Sequence, residues 1–296
     1  MIDFLTTLIN GLSLGGVYAL IALGYTMVYG IAKMLNFAHG DIIMVGGYTV
    51  MLFFAMFDMP WLAIAVCVIM ATLICICVGI GVERCAYRPL RGASPLAVLI
   101  TAIGVSYLLQ SLAQIIFGSD TNYVQLDTFG TLQLGSLKIT WATIITLLVA
   151  TIIMLGLTFF INKTKVGKAM LAVSEDKGAA QLMGVSSNLI IAVTFAIGSA
   201  LAGVAGFFTI LKNPFALKPT MGAMPGIKAF TAAVIGGIGS VPGSMIGGIL
   251  LGIIETFCNA VPKLSPYTDA IEFALLIVIL LIKPTGILGK KKREKV

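Results

Sequence analysis

Long apolar stretches alternate with short polar segments along most of the chain. A membrane-spanning helix needs about 20 mostly apolar residues, and stretches of that kind cover 5–30, 41–57, 61–82, 95–117, 139–161, 188–211 and 267–283. A further apolar region, 226–260, is interrupted at 239–243, which leaves two short crossing arms over 229–238 and 243–260. The pattern predicts an all-α polytopic membrane protein with about eight transmembrane helices plus broken or re-entrant segments. We interpret 1–296 as a single transmembrane domain.

The composition excludes a soluble protein of this length. Of the 296 residues, 59% belong to the hydrophobic set and only 10% are charged, whereas about 25% are charged in an ordinary globular domain. The net charge of +7 does not indicate nucleic-acid binding, because the basic residues lie at the ends of apolar stretches, where they face lipid headgroups and the cytoplasm. One histidine and five cysteines without a C-x-x-C pair predict neither a metal site nor a disulfide framework.

The positions of lysine and arginine predict the orientation of the chain. With the C-terminal tail in the cytoplasm, 14 of the 19 basic residues lie inside, in the segments 31–41, 84–94, 162–187 and 283–296. Because cytoplasmic loops are enriched in basic residues, this bias predicts an N-terminus outside and a C-terminus in the cytoplasm. The polar loop 118–138 then lies outside. Three outer lysines between 212 and 228 run against the bias, and contact with an acidic partner would explain them.

The region 226–260 contains the strongest helix-breaking signal. Its stretch 235–243 reads IGGIGSVPG and has five breaker residues in nine, so a continuous helix is not expected there. Backbone without helical bonds is tolerated at membrane depth only where it is buried in protein or lines a cavity, and broken helices often mark the substrate path of a transporter. We attribute most other membrane glycines to close helix packing. The predicted path or gate consists of Gly236, Gly237, Gly239, Pro242 and Gly243.

A second polar break, 34–41, contains Asn36, His39 and Asp41. One interpretation is a turn in which Asn36 or Asp41 caps the next helix, a position that both residue types favour. The other is a re-entrant turn that forms part of a gate or contacts a partner subunit, and it makes Asn36 and His39 candidate path residues. A catalytic histidine is not expected, because no nucleophile or metal-ligand set accompanies it.

Acidic residues lie within two of the apolar stretches. Glu255 and Glu272 are inside them, and Asp269 is near the start of the last one. Intramembrane carboxylates often mark ion paths, so one alternative is a proton- or sodium-coupled carrier. The other is structural: both glutamates lie towards outer helix ends, where water, Lys228 or Lys263 satisfies them. A membrane-embedded enzyme is not expected, since no nucleophile–base pair is present.

The segment 162–187 is too polar to span a membrane and lies inside by the charge bias. Glu175 and Asp176 suit the start of a helix and Gly184 suits its C-cap, so we predict a short helix between them. Its apolar face either packs on the protein's own helix ends or docks into a groove on a cytoplasmic partner. That face consists of Ala179, Ala180, Leu182 and Met183.

Five stretches of the chain together identify a family. They are NGLSLGGVYALIALGYTMVYGI at 10–31, LNFAHGD at 35–41, ERCAYRPLR at 83–91, KAFTAAVIGGIGSVPG at 228–243 and PTGILG at 284–289. They closely resemble the permease subunits of branched-chain amino-acid ABC importers, in particular the LivH-type member of the permease pair. The resemblance covers essentially the whole chain.

This resemblance implies an ATP-driven importer of the bacterial inner membrane. The implied partners are a second permease subunit, usually a paralogue, two cytoplasmic ATPase subunits and an extracytoplasmic solute-binding protein. The implied substrates are leucine, isoleucine and valine, while urea and short amides stay open because permeases for them look similar. The chain has no G-x-x-x-x-G-K-[ST] phosphate loop. We therefore expect it to be no enzyme and to bind no cofactor, with ATP and Mg held by the partner ATPases.

The resemblance also implies a role for the polar segment 162–187. Residues 167–184 correspond to the family's coupling helix, which sits in a cleft of an ATPase subunit, and this agrees with the docking interpretation above. The residues that we expect to couple the chain to the ATPase are Gly167, Glu175, Asp176, Ala179, Ala180 and Gly184.

Overall fold

The computed structural model describes residues 2–56, 60–123, 130–134, 137–212 and 217–289. A π-helix, Glu83–Tyr87, directly follows α3, and a 3₁₀ turn, Ser265–Tyr267, precedes α11. The α-helices in chain order are α1 (Ile2–Ala32), α2 (His39–Phe54), α3 (Pro60–Val82), α4 (Pro95–Phe117), α5 (Trp141–Lys163), α6 (Lys165–Glu175), α7 (Lys177–Leu182), α8 (Ser187–Lys212), α9 (Ala223–Gly236), α10 (Val241–Ala260) and α11 (Thr268–Ile282).

The predicted polytopic all-α class is confirmed, with a small difference in the helix count. Seven helices among the described residues are long and apolar enough to cross a membrane. They are α1, α3, α4, α5, α8, α10 and α11, the last together with the 3₁₀ turn before it, which makes 18 residues over Ser265–Ile282. The expected span 41–57 is instead the shorter helix α2, whose 16 residues fall below the roughly 20 that a span needs. The arm expected at 243–260 is longer than predicted, because α10 has 20 residues.

A small β-hairpin stands where the sequence predicts only a polar loop. Strand β1 (Thr131–Leu134) pairs antiparallel with β2 (Leu137–Thr140), and Thr131 lies opposite Thr140. Both strands, TLQL and LKIT, alternate polar and apolar residues, which is typical of a strand, so the interpretation as a plain loop missed a readable signal. The rest of the predicted outer loop between 124 and 129 lies outside the described residues.

The chain packs as two units, which we describe separately. The first comprises Met1–Thr26, Thr131–Thr158 and Lys228–Val296, and the second comprises Met27–Gly130 and Phe159–Ile227.

In the first unit, α1 crosses α10 through facing glycines. A Cβ added at Gly15 would lie 2.6 Å from Ile249 Cα, and one added at Gly252 would collide with the Gly15 backbone. No hydrophobic force drives helices together in lipid, so they associate through close packing of small residues. These glycines therefore set the distance between the two helices, as the sequence predicts.

In the second unit, α2 and α3 both pack on α8. A Cβ added at Gly203 of α8 would lie 2.7 Å from the Ala71 carbonyl oxygen of α3, and one added at Gly206 would lie 2.6 Å from the Ile43 oxygen of α2. The Cys75 thiol donates to the Ile42 carbonyl at 3.3 Å. The predicted close-packing role of glycine is confirmed here too.

The predicted break between α9 and α10 is confirmed. Helix α9 ends at Gly236, and the φ angles of Gly237 (+109°) and Gly239 (+93°) are ones that side chains disfavour. Helix α10 restarts after Ser240, whose Oγ accepts a hydrogen bond from the Gly243 N–H at 3.3 Å. Pro242 lies in the first turn of α10. Its missing N–H costs no hydrogen bond there, because the N–H groups of a first turn have no acceptor within the helix.

The segment 284–289 packs against this break. The Ile287 N–H donates to the Ile235 carbonyl at 2.8 Å, and the Leu288 N–H donates to the Gly236 carbonyl at 2.9 Å. These are carbonyls that the end of α9 leaves without intrahelical partners. The end of the chain's last described segment thus stabilises the end of α9.

Candidate functional site

The short helix α7 forms where the capping residues predict it. Asp176 Oδ1 accepts hydrogen bonds from the N–H groups of Gly178 at 2.8 Å and Ala179 at 3.0 Å, which satisfies two donors of the first turn. At the other end Gly184 has a φ of +81°, and the Val185 N–H donates to the Ala180 carbonyl at 2.9 Å. The N-cap at Asp176 is confirmed, whereas Glu175 is the last residue of α6 and does not start α7. The C-cap is Met183 and not Gly184, and Gly184 follows it as the left-handed glycine that stops the helix.

Helix α6 precedes α7 and was not predicted. Thr164 starts it: its Oγ accepts from the Gly167 N–H at 3.0 Å and donates to the Phe160 carbonyl at 2.6 Å. Gly167 lies against the end of α5, because a Cβ there would be 2.5 Å from Ile161 Cα. A threonine N-cap before a helix is a readable signal. Gly167 thus has a packing role at this corner, while its predicted part in coupling stays a prediction.

The apolar side chains of the α7 region divide into two groups. Ala180 is buried at 4% exposure, which fits packing on the protein's own helices. Leu182 and Met183 are 91% and 84% exposed, and Ala179 and Glu175 are exposed as well. The interpretation that the whole face packs on the chain itself is therefore wrong for Leu182 and Met183. The exposure of Leu182 and Met183 leaves them free to contact a partner, and the docking interpretation stays a prediction.

The break before α2 contains polar residues that do not cap that helix. The N-cap of α2 is Ala38, without a side-chain cap, so the capping interpretation of Asn36 and Asp41 is wrong. Asn36 Oδ1 instead accepts from the Tyr87 hydroxyl at 2.8 Å, and Asp41 Oδ1 accepts from the Gln110 amide at 2.8 Å. Partners that are distant in sequence therefore take the place of local caps in the second unit, where Asn36, Asp41 and Tyr87 are buried and Gln110 is half-buried.

Asp41 is buried at 1% exposure and hydrogen-bonds to a neutral amide. A buried carboxylate loses its hydration and gains only hydrogen bonds in return. We expect Asp41→Asn to keep the contact with Gln110 and to leave the melting temperature unchanged or higher by a few degrees. Asp41→Leu removes the acceptor and should lower the stability by about 1–3 kcal/mol. Thermal unfolding of the two variants in detergent checks this, and equal losses in both would contradict it.

The predicted path residues fall in both units. Asn36 and His39 are buried in the second unit. In the first unit, Gly236 and Gly243 are in close backbone contact, and a Cβ added at Gly237 would lie 2.8 Å from Gly289 Cα. Close packing accounts for glycine at these positions. The role of both sets in a path stays a prediction.

A buried charge cluster joins three helices of the first unit. Lys228 Nζ of α9 lies 2.8 Å from Glu255 of α10, 2.8 Å from Asp269 of α11 and 3.2 Å from Glu272 of α11. The Tyr18 hydroxyl of α1 donates to Glu255 Oε2 at 2.6 Å. Lys228 thus pairs with both glutamates, as the structural interpretation expects, and donates a hydrogen bond to Glu255. The two carboxylate oxygens of Glu272 are buried and accept no hydrogen bond from the described residues.

The sequence interpretation misplaced Lys228. It counted this lysine with an outer loop, whereas the side chain is buried within α9 at 8% exposure, and its acidic partners belong to the same chain. The small and apolar residues that follow Lys228 directly, AFTAAVIG, are a weak signal that it lies inside a helix. Tyr87 and Arg91 were also missed as contact residues, because their partners are far away in sequence.

Comparison with known proteins places the chain among transport permeases. The family model for the permease component of branched-chain amino-acid transport systems matches residues 7–280. The chain is 44% identical to the high-affinity branched-chain amino acid transport system permease protein LivH of Salmonella typhimurium, over 99% of this chain and 98% of that protein. It is 42% identical to BraD, the corresponding permease of Pseudomonas aeruginosa, with the same coverage. The ribose import permease RbsC of Haemophilus influenzae is 29% identical over 45% of this chain and 42% of its own length.

Proposed function

The chain belongs to the permease family of branched-chain amino-acid transport systems, and we propose that it translocates leucine, isoleucine and valine as a subunit of an ATP-driven importer. It is a multi-pass protein of the bacterial inner membrane. The observation that carries the proposal is the similarity to LivH and BraD over nearly the whole length of both chains. Small apolar substrate side chains suit a path that is poor in charge.

Permeases of ABC importers work with an ATPase and a binding protein. For this chain we propose a second permease subunit, a paralogue, together with two cytoplasmic ATPase subunits and an extracytoplasmic solute-binding protein. ATP and Mg would be held by the ATPase subunits, since this sequence has no phosphate loop. The N-terminus would lie outside and the C-terminus in the cytoplasm, as the basic residues predict.

The coupling surface that we propose is the exposed side of α7. Its helix is fixed at both ends by Asp176 and Gly184, and Ala180 anchors it to the chain. Leu182 and Met183 project from this fixed helix as exposed apolar groups, which suits insertion into a groove of an ATPase subunit. Closure of the ATPase dimer on ATP would move α7 and open the path to the loaded binding protein. Hydrolysis would then reopen the inner side.

Reconstitution tests the proposed function. The complex in proteoliposomes should take up labelled leucine only when ATP and the binding protein are both supplied. Uptake by this chain alone, driven by a proton or sodium gradient, would favour a carrier. Uptake of urea or a short amide in place of leucine would overturn the proposed substrate, whereas the proposal of an ATP-driven importer would stand.

We expect Leu182→Ser with Met183→Ser to lower binding-protein-stimulated ATP hydrolysis by about tenfold or more. Burying one leucine or methionine contributes about 1.5–3 kcal/mol, so losing both apolar groups weakens the contact with the ATPase strongly. Neither change disturbs the fold, because both side chains are exposed. The assay measures ATPase activity and co-purification of the ATPase subunits.

A matched control is Leu189→Ser on α8. Leu189 is also exposed, at 63%, but it lies beyond the coupling segment. This variant should retain the ATPase subunits and their stimulated activity. Equal losses in the control and in the α7 variant would show that α7 is not the specific contact.

A further inference from the structure

A set of polar contacts in the second unit joins the segment 33–38 to the neighbourhood of the coupling helix, and these contacts range from buried at Asn36 to exposed at Asn188. It involves Asn36, Glu83, Tyr87 and Arg91, which we call the tether. Asn36, Glu83 and Tyr87 are at most 3% exposed, and the Arg91 side chain is 15% exposed. Burying a polar group costs free energy unless it is paired, so the pairing of these side chains stabilises their arrangement.

The first contact of the tether runs through Tyr87. Its hydroxyl donates to Asn36 Oδ1 at 2.8 Å, and its ring centroid lies 5.2 Å from that of Phe195 on α8. Tyr87 therefore touches the segment 33–38 with its hydroxyl and α8 with its ring.

The second contact runs through Arg91. Its guanidinium forms an ion pair with Glu83 and donates a hydrogen bond to Asn188 Oδ1. Asn188 is the second residue of α8, and it follows Gly184 of the coupling segment closely in the chain. Glu83 and Tyr87 lie in the same π-helix, an irregularity that is common at functional positions. The π-helix thus links the start of α8 to Asn36.

A third contact reaches the other end of the same segment. Lys177, the first residue of α7, donates from Nζ to the Ala32 carbonyl at 3.4 Å. Ala32 is the last residue of α1, and a lysine favours the negative end of a helix dipole. The segment 33–38 is therefore held at Ala32 by α7 and at Asn36 by the tether.

We propose that the tether transmits movement of α7 to the segment 33–38, with Tyr87 and Arg91 as positioning residues. The inference rests on the proposed function, because it names the part of the chain that the coupling helix moves. Energetic coupling between distant sites needs contiguous packed or hydrogen-bonded elements, and the tether supplies them from α8 through the π-helix to Asn36. Without it, α7 engages the ATPase and still holds Ala32 through Lys177, but the Asn36 end of the segment 33–38 does not follow.

The variant Tyr87→Phe tests the tether with little risk to the fold. It removes the hydroxyl that Asn36 accepts from and keeps the ring against Phe195. In the reconstituted complex, the amount of leucine transported per ATP hydrolysed, which we call the transport ratio, should fall about five- to tenfold. A change of this size corresponds to the net free energy of one hydrogen bond. Binding-protein-stimulated ATP hydrolysis should stay within about twofold of the unaltered complex. The matched control is Tyr48→Phe, a tyrosine of the same unit that is buried at 2% exposure and stacks on Phe117 at 4.1 Å, and its transport ratio should not change.

A charge swap separates positioning from simple stability. Arg91→Glu and Glu83→Arg should each lower the transport ratio. The double variant should restore it, because the ion pair is rebuilt in reverse and the carboxylate at position 91 accepts a hydrogen bond from the Asn188 amide N–H. A role in stability alone would show as lower yield of the complex with an unchanged ratio.

The outcomes distinguish the inference from the function on which it rests. If the unaltered complex takes up leucine and Tyr87→Phe leaves the transport ratio unchanged, the tether is refuted and the proposed function stands. If the unaltered complex shows no uptake that depends on ATP and binding protein, the proposed function itself fails. A lower ratio in Tyr87→Phe and not in Tyr48→Phe supports the tether.

Discussion

Replacing Lys228 by methionine should lower the free energy of unfolding by about 3–5 kcal/mol, the usual cost of removing one partner from a buried ion pair. Methionine has a similar length and keeps the apolar contacts of the side chain, so the loss reflects charge. Glu272 is fully buried and Glu255 is 14% exposed. Without the lysine, both carboxylates stay in a poorly hydrated place with no compensating cation.

Two further variants show whether the uncompensated charge is the cause. Asp269 is 53% exposed and can be hydrated, so Asp269→Asn should cost no more than about 1 kcal/mol. Adding Glu255→Gln and Glu272→Gln to Lys228→Met removes the stranded charges and should recover most of the loss. Thermal unfolding of the purified complex in detergent, with size-exclusion chromatography for integrity, gives the comparison. A loss in Lys228→Met no larger than in Asp269→Asn would show that the cluster does not hold α9, α10 and α11 together.

Features that depend on a few neighbouring residues were predictable from the sequence. The break between α9 and α10 follows from glycine and proline within nine residues, and the structure has it between Gly236 and Val241. The ends of α7 follow from the chemistry of Asp176 and Gly184. Membrane spans follow from the length of apolar stretches, since lipid leaves the backbone few alternatives.

Features that depend on distant partners were not predictable in the same way. Lys228 and Glu255 are 27 positions apart, and Tyr87 and Asn36 are 51 positions apart. Charge and polarity indicate that such residues need partners but not which ones. The capping interpretation of Asn36 and Asp41 failed for this reason: both residue types suit a cap, yet the fold brings Tyr87 and Gln110 within reach. The π-helix has no signal in apolar periodicity.

Replacing Gly15 by leucine should prevent stable folding of the first unit. A Cβ at this position would lie 2.6 Å from Ile249 Cα and 2.8 Å from the Ile249 carbonyl oxygen, so the clash is with backbone and no rotamer relieves it. Helices α1 and α10 must move apart, which also opens the neighbouring contact of Gly252 with Gly15. Alanine at the same position should already cost about 1–3 kcal/mol, the usual cost of overpacking, and leucine should cost more.

Glycine on the open side of a helix provides the matched control. Gly156 of α5 belongs to the same unit, and no atom of the described residues lies within 4 Å of an added Cβ there. Gly156→Ala should therefore stabilise by up to about 1 kcal/mol, because alanine is the better helix former. Gly156→Leu should be tolerated as well.

The comparison of these variants decides what holds α1 against α10. If backbone proximity holds them, stability should fall from glycine to alanine to leucine at position 15 and should not fall at position 156, when both series are measured as melting temperature and as yield of monodisperse complex. If Gly15 only made α1 more flexible, alanine would raise the melting temperature at both positions, because the gain in helix propensity is the same in either helix. A rise in melting temperature for Gly15→Ala would therefore overturn the close crossing, since no gain in helix propensity compensates for an atom placed 2.6 Å from another backbone.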